Sequence, residues 1–180
     1  MVPLSFGGIA KPFSGPINLK CEYTTTPLQT TINNPMASPK WAQKTVTLPP
    51  QRRGCHLVTS KIMKEIGQEM AGFKCGLAHF FLQHTSASLT INENYDSDVR
   101  DDTETFLSRV VPEGTSAPWK HTLEGPDDMP AHIKSSMFGC NLTIPITDGK
   151  LNMGTWQGIW LCEHRDDATP RSIVITLNGM

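Results

Sequence analysis

CNLTIPITDGKLNMGTW, residues 140–156, is the stretch whose reading decides the fold. LTIPIT alternates in the manner of a half-buried strand, and Asp148-Gly149 stands between two strand-like runs. An Asp-Gly pair in that setting signals a tight hairpin. Two more strand-like runs follow, GIWLCEH at 158–164 and RSIVITL at 171–177. The chain therefore closes on consecutive strands.

Upstream, strands and helices mix. KTVTLPP alternates apolar and polar residues from Lys44, and GCHLV from Gly54 reads as a second strand. In TSKIMKEIGQEM, Ile62, Met63, Ile66 and Met70 recur at helical spacing, with Thr59 or Ser60 placed to cap the start. CGLAHFFLQHTSASLTI is strand-rich. A second helix is predicted from Asp96 to Val110, its first turns carrying Asp96, Asp98, Asp101 and Asp102, where the helix dipole favours negative charge. A short third helix is predicted near Pro130, since proline suits a first turn. Mixed elements followed by a run of strands imply an α+β fold with mainly antiparallel strands and two to three helices, not a doubly wound sheet.

Residues 1–42 read differently. Eight of the fourteen prolines fall within the first fifty residues, and TTTPLQTTINNPMASPK has no strand or helix period. This region is expected to be a poorly structured extension, with the folded domain over 43–180. Its first residues lack the basic and apolar regions of a secretory signal.

A net charge of −1 gives no bulk attraction to duplex nucleic acid or an anionic membrane, and no apolar run approaches a membrane span. The five cysteines form no CxxC pair and mostly sit in strand-like context. Reduced cysteines in a cytoplasmic protein are the reading that fits.

Three segments concentrate polar residues beyond what solvation demands. LQHTSASLTINENYD interrupts an apolar strand with His84, Thr85 and Ser86, then ends in Asn92, Glu93 and Asn94. HTLEGPDDMPAHIKSS holds His121 and His132 too far apart for one helical face, with Asp127 and Asp128 between them. If the proline-stiffened loop folds back, imidazole and carboxylate ligands suit a divalent metal; otherwise the aspartates simply precede a helix. GTWQGIWLCEHRD carries Gln157, Glu163 and Arg165, the last two of equal parity and so on one face. They are either a surface ion pair or a site in which Arg165 takes phosphate with its planar fork. No Walker loop, HExxH or nucleophile elbow occurs.

HTSASLTINEN, EGPDDMPAHIKSS, LTIPITDGKLNMGTWQGIW and LCEHRD together resemble the YjbQ, or UPF0047, family, over roughly Lys44 to Gly179. Cys140-Asn141 departs from the small hydroxyl residue expected before LTIP. The resemblance implies a two-sheet sandwich that forms homotrimers. It also implies a secondary thiamine-phosphate synthase activity, joining an aminopyrimidine pyrophosphate to a thiazole phosphate with release of pyrophosphate. Under that reading His84, His132 and Glu163 are catalytic candidates, and Asn92, Gln157 and Arg165 hold substrate. His121, His132 and Asp128 hold a divalent cation such as Mg, Mn or Zn. The absence of a DDxxD-like magnesium cluster leaves two alternatives open: a metal-dependent hydrolase of a small phosphorylated compound, or a non-catalytic trimer that binds a ligand or metal.

Overall fold

The computed structural model describes residues 38–167 and 169–180. The extension read over 1–42 lies outside these residues as far as residue 37, and Lys40–Ala42 already belong to the first strand.

Among the described residues, eight strands form two antiparallel sheets. The larger runs β1 (Lys40–Leu48), β8 (Arg171–Gly179), β3 (Cys75–Leu82), β5 (Asn141–Thr147), β6 (Lys150–Leu151). The smaller runs β2 (Gly54–Leu57), β7 (Gln157–Glu163), β4 (Ala87–Glu93). The expected hairpin joins β5 to β6. Asp148 and Gly149 have φ of 47° and 72°, the pair of positive angles that a two-residue turn of this hand requires.

Side-chain alternation builds the layers. Val46, Phe80, Ile144, Ile173 and Ile175 of the larger sheet meet Leu89, Ile159 and Leu161 of the smaller one in a single core. The long strand-rich stretch divides after Leu82, because its two halves belong to opposite sheets. Trp160 and Cys162 have the other parity and pack on the far side of the smaller sheet with Cys55, Val99 and Phe138. Three helices complete the described residues: α1 (Thr59–Met70), α2 (Ser97–Val110) and α3 (Asp128–Phe138). α1 buries Ile62, Ile66 and Met70. Its expected side-chain cap is absent: Val58 occupies the capping position, and Thr59 Oγ1 instead accepts from the Ile159 amide at 2.8 Å, tying the helix to β7. At α2, Asp96 does cap, accepting from the Asp98 amide at 2.9 Å. None of the helices among the described residues is long and apolar enough to cross a membrane.

Beyond the smaller sheet lies a buried polar layer. Lys134 of α3 has no exposed surface and donates to Glu113 at 2.9 Å. Arg53 pairs with the same glutamate and with Glu104. His164, also buried, contacts Ser88 Oγ through Nε2 at 2.9 Å, while its Nδ1 has no partner among the described residues. Burial, then the Lys134 and Arg53 charges, push its pKa down to about 3. The unfolded ring titrates near 6.5, so between these values the unfolded chain binds the extra proton. Stability is fully present above about pH 6.5 and falls as pH drops toward 3, by a few kcal/mol. Urea unfolding across pH 7 to 4 should show this slope, and His164→Gln should flatten it. An equal slope in that variant would assign the acid sensitivity to other groups.

Candidate functional site

The site forms where the β3–β4 connection, the segment before α3 and the end of β7 meet. α3 begins at Asp128, which is 1% exposed, and Pro130 in its first turn loses no helical hydrogen bond by lacking an N–H. The EGPDDMP loop folds back, so the His121 and His132 rings lie 5.4 Å apart between centroids. His121 Nε2 is 2.7 Å and His132 Nε2 is 3.4 Å from Asp128 Oδ2. All three ligand atoms lie within 4.8 Å of one another.

The state of His132 follows from its other nitrogen. Nδ1 lies 3.0 Å from the Thr85 carbonyl and 3.3 Å from Ser86 Oγ. A carbonyl only accepts, so Nδ1 carries the proton, and in the tautomer that binds a metal Nε2 turns its lone pair toward Asp128. A lone pair facing a carboxylate oxygen repels unless a proton or a cation lies between them. Two donors sharing one tetrahedral zinc at about 2.0 to 2.1 Å would stand about 3.3 Å apart. The donor set and the 3.4 Å His132–Asp128 spacing fit a divalent ion, while His121, hydrogen-bonded to Asp128 at 2.7 Å, would draw back slightly to share it; a carbonyl that orients the ligand histidine is the usual support for such an ion.

Arg165 braces this group. Its Nε donates to Asp127 Oδ2 at 2.9 Å, Nη1 to Asp128 Oδ1, and Nη2 to the Glu124 carbonyl at 2.7 Å. Burial opposes ionisation of Asp127, yet the Asp166 amide and the Arg165 guanidinium hold its carboxyl below the usual range. Arg165 thus spends its fork on protein carboxylates and a carbonyl. In this structure the fork expected to grip phosphate is held against Asp127, Asp128 and the Glu124 carbonyl.

Glu163 needs a correction. It is fully buried, and Arg171 clasps it through two bonds of 2.7 and 2.8 Å. The amides of His164 and Arg165 also donate to it, each at 3.0 Å. A carboxylate so enclosed does not touch substrate. It anchors Arg171, whose Nη1 lies 2.6 Å from His84 Nε2. His84 Nδ1 accepts from the Ser86 amide at 2.9 Å. Burial first, then the Arg171 charge, lower the His84 pKa, so the ring is neutral at pH 7.

His84, His121, Asp128, His132, Arg165 and Arg171 share one open cleft of about 460 Å³. Asn92 and Gln157 are not brought there. They line a separate cleft with Tyr95 and Trp156, because β4 runs away from His84 and leaves Asn92 at its far end. Arg171 is the site residue that the motifs missed. It shares parity with Ile173, Ile175 and Leu177, so it points inward, and an inward charge demands a partner.

Residues 44–180 match the family model described as UPF0047 protein YjbQ-like. The chain belongs to the YjbQ/UPF0047 family. A UPF0047 protein YjbQ from Escherichia coli O157:H7 is 51% identical over 139 residues, covering 77% of this chain and 99% of that protein. A Synechocystis UPF0047 protein is 40% identical, covering 76% of this chain and 91% of the relative. Among solved structures, a YjbQ/UPF0047 protein of Clostridium acetobutylicum is 34% identical, with a TM-score of 0.65 over 74% of this chain and 98% of that one. A Sulfolobus solfataricus structure, described as of unknown function, aligns at a TM-score of 0.69 and 24% identity over 79% of this chain and all of that one, a likeness of fold. The family match thus runs from within β1 to the last residue, and the family is one of uncharacterised proteins.

Proposed function

We propose that this YjbQ-like domain is a metal-dependent hydrolase of a small phosphorylated compound, working in the cleft of His84, His121, Asp128 and His132. One observation carries the reading: the Thr85 carbonyl holds the His132 proton on Nδ1 and so aims Nε2 at Asp128 and His121. His121, Asp128 and His132 would hold the ion. A divalent cation bound there lowers the pKa of a coordinated water and polarises a substrate oxygen.

The remaining residues orient and donate. Hydrolysis forms a bond from water oxygen to phosphorus, breaks the bond to the leaving oxygen, and returns one proton to that oxygen. The attacking water loses that proton, so the step balances without one from the protein, and His84 helps to seat the substrate. Its two nitrogens both face donors, the Ser86 amide and Arg171, yet a neutral imidazole has only one lone-pair nitrogen. With Nδ1 accepting from Ser86, Nε2 faces the Arg171 guanidinium, so the ring's part is to hold the Thr85–Ser86 turn beside the ion site. Burial first, then the Arg171 charge, keep the ring neutral, and Glu163 keeps Arg171 in place.

The thiamine-phosphate synthase reading uses the same ion but asks more of the cleft. It must seat a pyrophosphate and a phosphate together, while Arg165 is engaged by carboxylates and Glu124 and Asp167 line the wall. That charge balance favours the hydrolase. A reducing cytoplasmic setting belongs to the same proposal, supported by the unpaired thiols of Cys55, Cys75, Cys140 and Cys162. So does a homotrimer, supported by the outer face of the larger sheet, where Trp41, Leu77 and Phe81 stand 71%, 45% and 44% exposed. Sedimentation of Phe81→Glu should show smaller particles than the parent; an unchanged particle would place the contact elsewhere.

The catalytic test is phosphate release from p-nitrophenyl phosphate with zinc, manganese or magnesium. His132→Ala should fold normally and lose turnover by at least about a hundredfold. Formation of thiamine phosphate by the parent, with no ester hydrolysis, would replace this reading with the transferase. Metal binding with neither reaction would leave a binding protein.

A further inference from the structure

Three cations without a carboxylate partner among the described residues, Arg52, Lys61 and Arg100, lie in a groove that shares no lining residue with the His/Asp cleft. The groove has a volume of about 540 Å³ and is bordered by Arg52–Leu57, by Lys61 of α1, and by Ser97, Arg100 and Asp101 of α2. Arg52, Lys61 and Arg100 have no carboxylate partner among the described residues. Arg100 makes only a 3.5 Å contact with the Asp96 carbonyl. Arg53 lines the groove too, but Glu104 and Glu113 hold it. Against three free cations stands one lining carboxylate, Asp101. In a chain of net charge −1, that is a local concentration of positive charge.

The backbone adds donors. β2 is an edge strand of the smaller sheet. The Val58 amide donates to the Ile159 carbonyl at 2.9 Å, so alternation turns the amides of Cys55 and Leu57 toward the open edge. Both residues line the groove. Gly54 is left-handed at φ +126°, and a Cβ built there would meet nothing within 4 Å, so bare backbone borders open space. His56 Nε2 donates to the Arg52 carbonyl at 2.6 Å, which fixes the turn that carries Arg52. The first turn of α2 borders the groove at Ser97 and adds the positive end of a 14-residue helix.

We propose that this groove binds the phosphate or pyrophosphate group of a small anionic ligand, with Arg52 and Arg100 as its principal side-chain contacts and Lys61 as a further charge. Guanidinium forks and free amides match phosphate oxygens in geometry as well as charge. The inference is independent of the metal reading, since neither the ligand ions nor the bracing arginines of the cleft take part.

Calorimetric titration with pyrophosphate in EDTA at low salt tests it. The parent should bind one pyrophosphate per chain, and binding should weaken as salt rises. Arg52→Ala with Arg100→Ala should weaken binding at least about tenfold while the far-ultraviolet circular dichroism stays unchanged. His132→Ala should bind pyrophosphate in EDTA as the parent does, even where it no longer binds zinc, so failure of one site is separable from failure of the other. Absence of binding in EDTA, or a double variant that binds like the parent, would overturn the proposal. So would sedimentation showing that the double variant dissociates an oligomer, because the groove would then be a subunit contact.

Discussion

Arg171→Met should lower the unfolding free energy by about 3–5 kcal/mol, the largest single-residue effect expected outside the apolar core. Arg171 is 2% exposed and Glu163 is fully buried. The substitution removes two bonds of 2.7 and 2.8 Å to Glu163 and leaves its carboxylate with only the His164 and Arg165 amides. An uncompensated buried charge is what makes such a loss costly. Replacing both partners, Glu163→Leu with Arg171→Met, should recover most of the stability, because no lone charge remains. Urea midpoints at one fixed protein concentration would measure both. If the single and double variants fall equally, the cost comes from lost packing and not from the orphaned charge. His84 should also respond: without the neighbouring guanidinium, one of the influences that lower its pKa is gone.

Asp128→Asn should weaken divalent-metal binding by at least about a hundredfold and leave the fold intact. Asp128 supplies the only buried oxygen of the three-donor group, and its Oδ2 lies between His121 and His132. An amide keeps the volume and an acceptor for Arg165 but carries no charge to offset the ion's. Arg165→Lys should have a smaller effect, about tenfold, because a lysine cannot span Asp127, Asp128 and the Glu124 carbonyl at once. The order of the two variants matters as much as their size. A larger loss for Arg165→Lys would mean that the arginine binds the ligand itself.

The fold was legible because its signals are local. The Asp148-Gly149 turn, the spacing of Ile62, Ile66 and Met70, and the Asp96 cap each act within a few residues. The Thr59 cap misread shows the limit, since Thr59 Oγ1 serves an amide 100 residues away on β7. The site divides the same way. His121, Asp128 and His132 lie within one loop-helix segment, and their chemistry marks them as a group. Glu163 and Arg165 were assigned to one face by parity, but β7 ends at Glu163. Glu163 continues the inward parity of Ile159 and Leu161 toward the larger sheet, and Arg165 turns to the aspartates. Arg171 could be placed only by pairing two sheets, which no single segment specifies. Asn92 and Gln157 stand opposite each other's neighbours across β4 and β7, at the end of the sheet remote from His84.

The most direct test of the metal centre is a crystal structure of the zinc- or manganese-soaked protein, measured at the absorption edge of the metal. An anomalous peak within bonding distance of His121 Nε2, Asp128 Oδ2 and His132 Nε2 is the expected result. No peak at that position under saturating metal, or a peak held by cysteines instead, would contradict it.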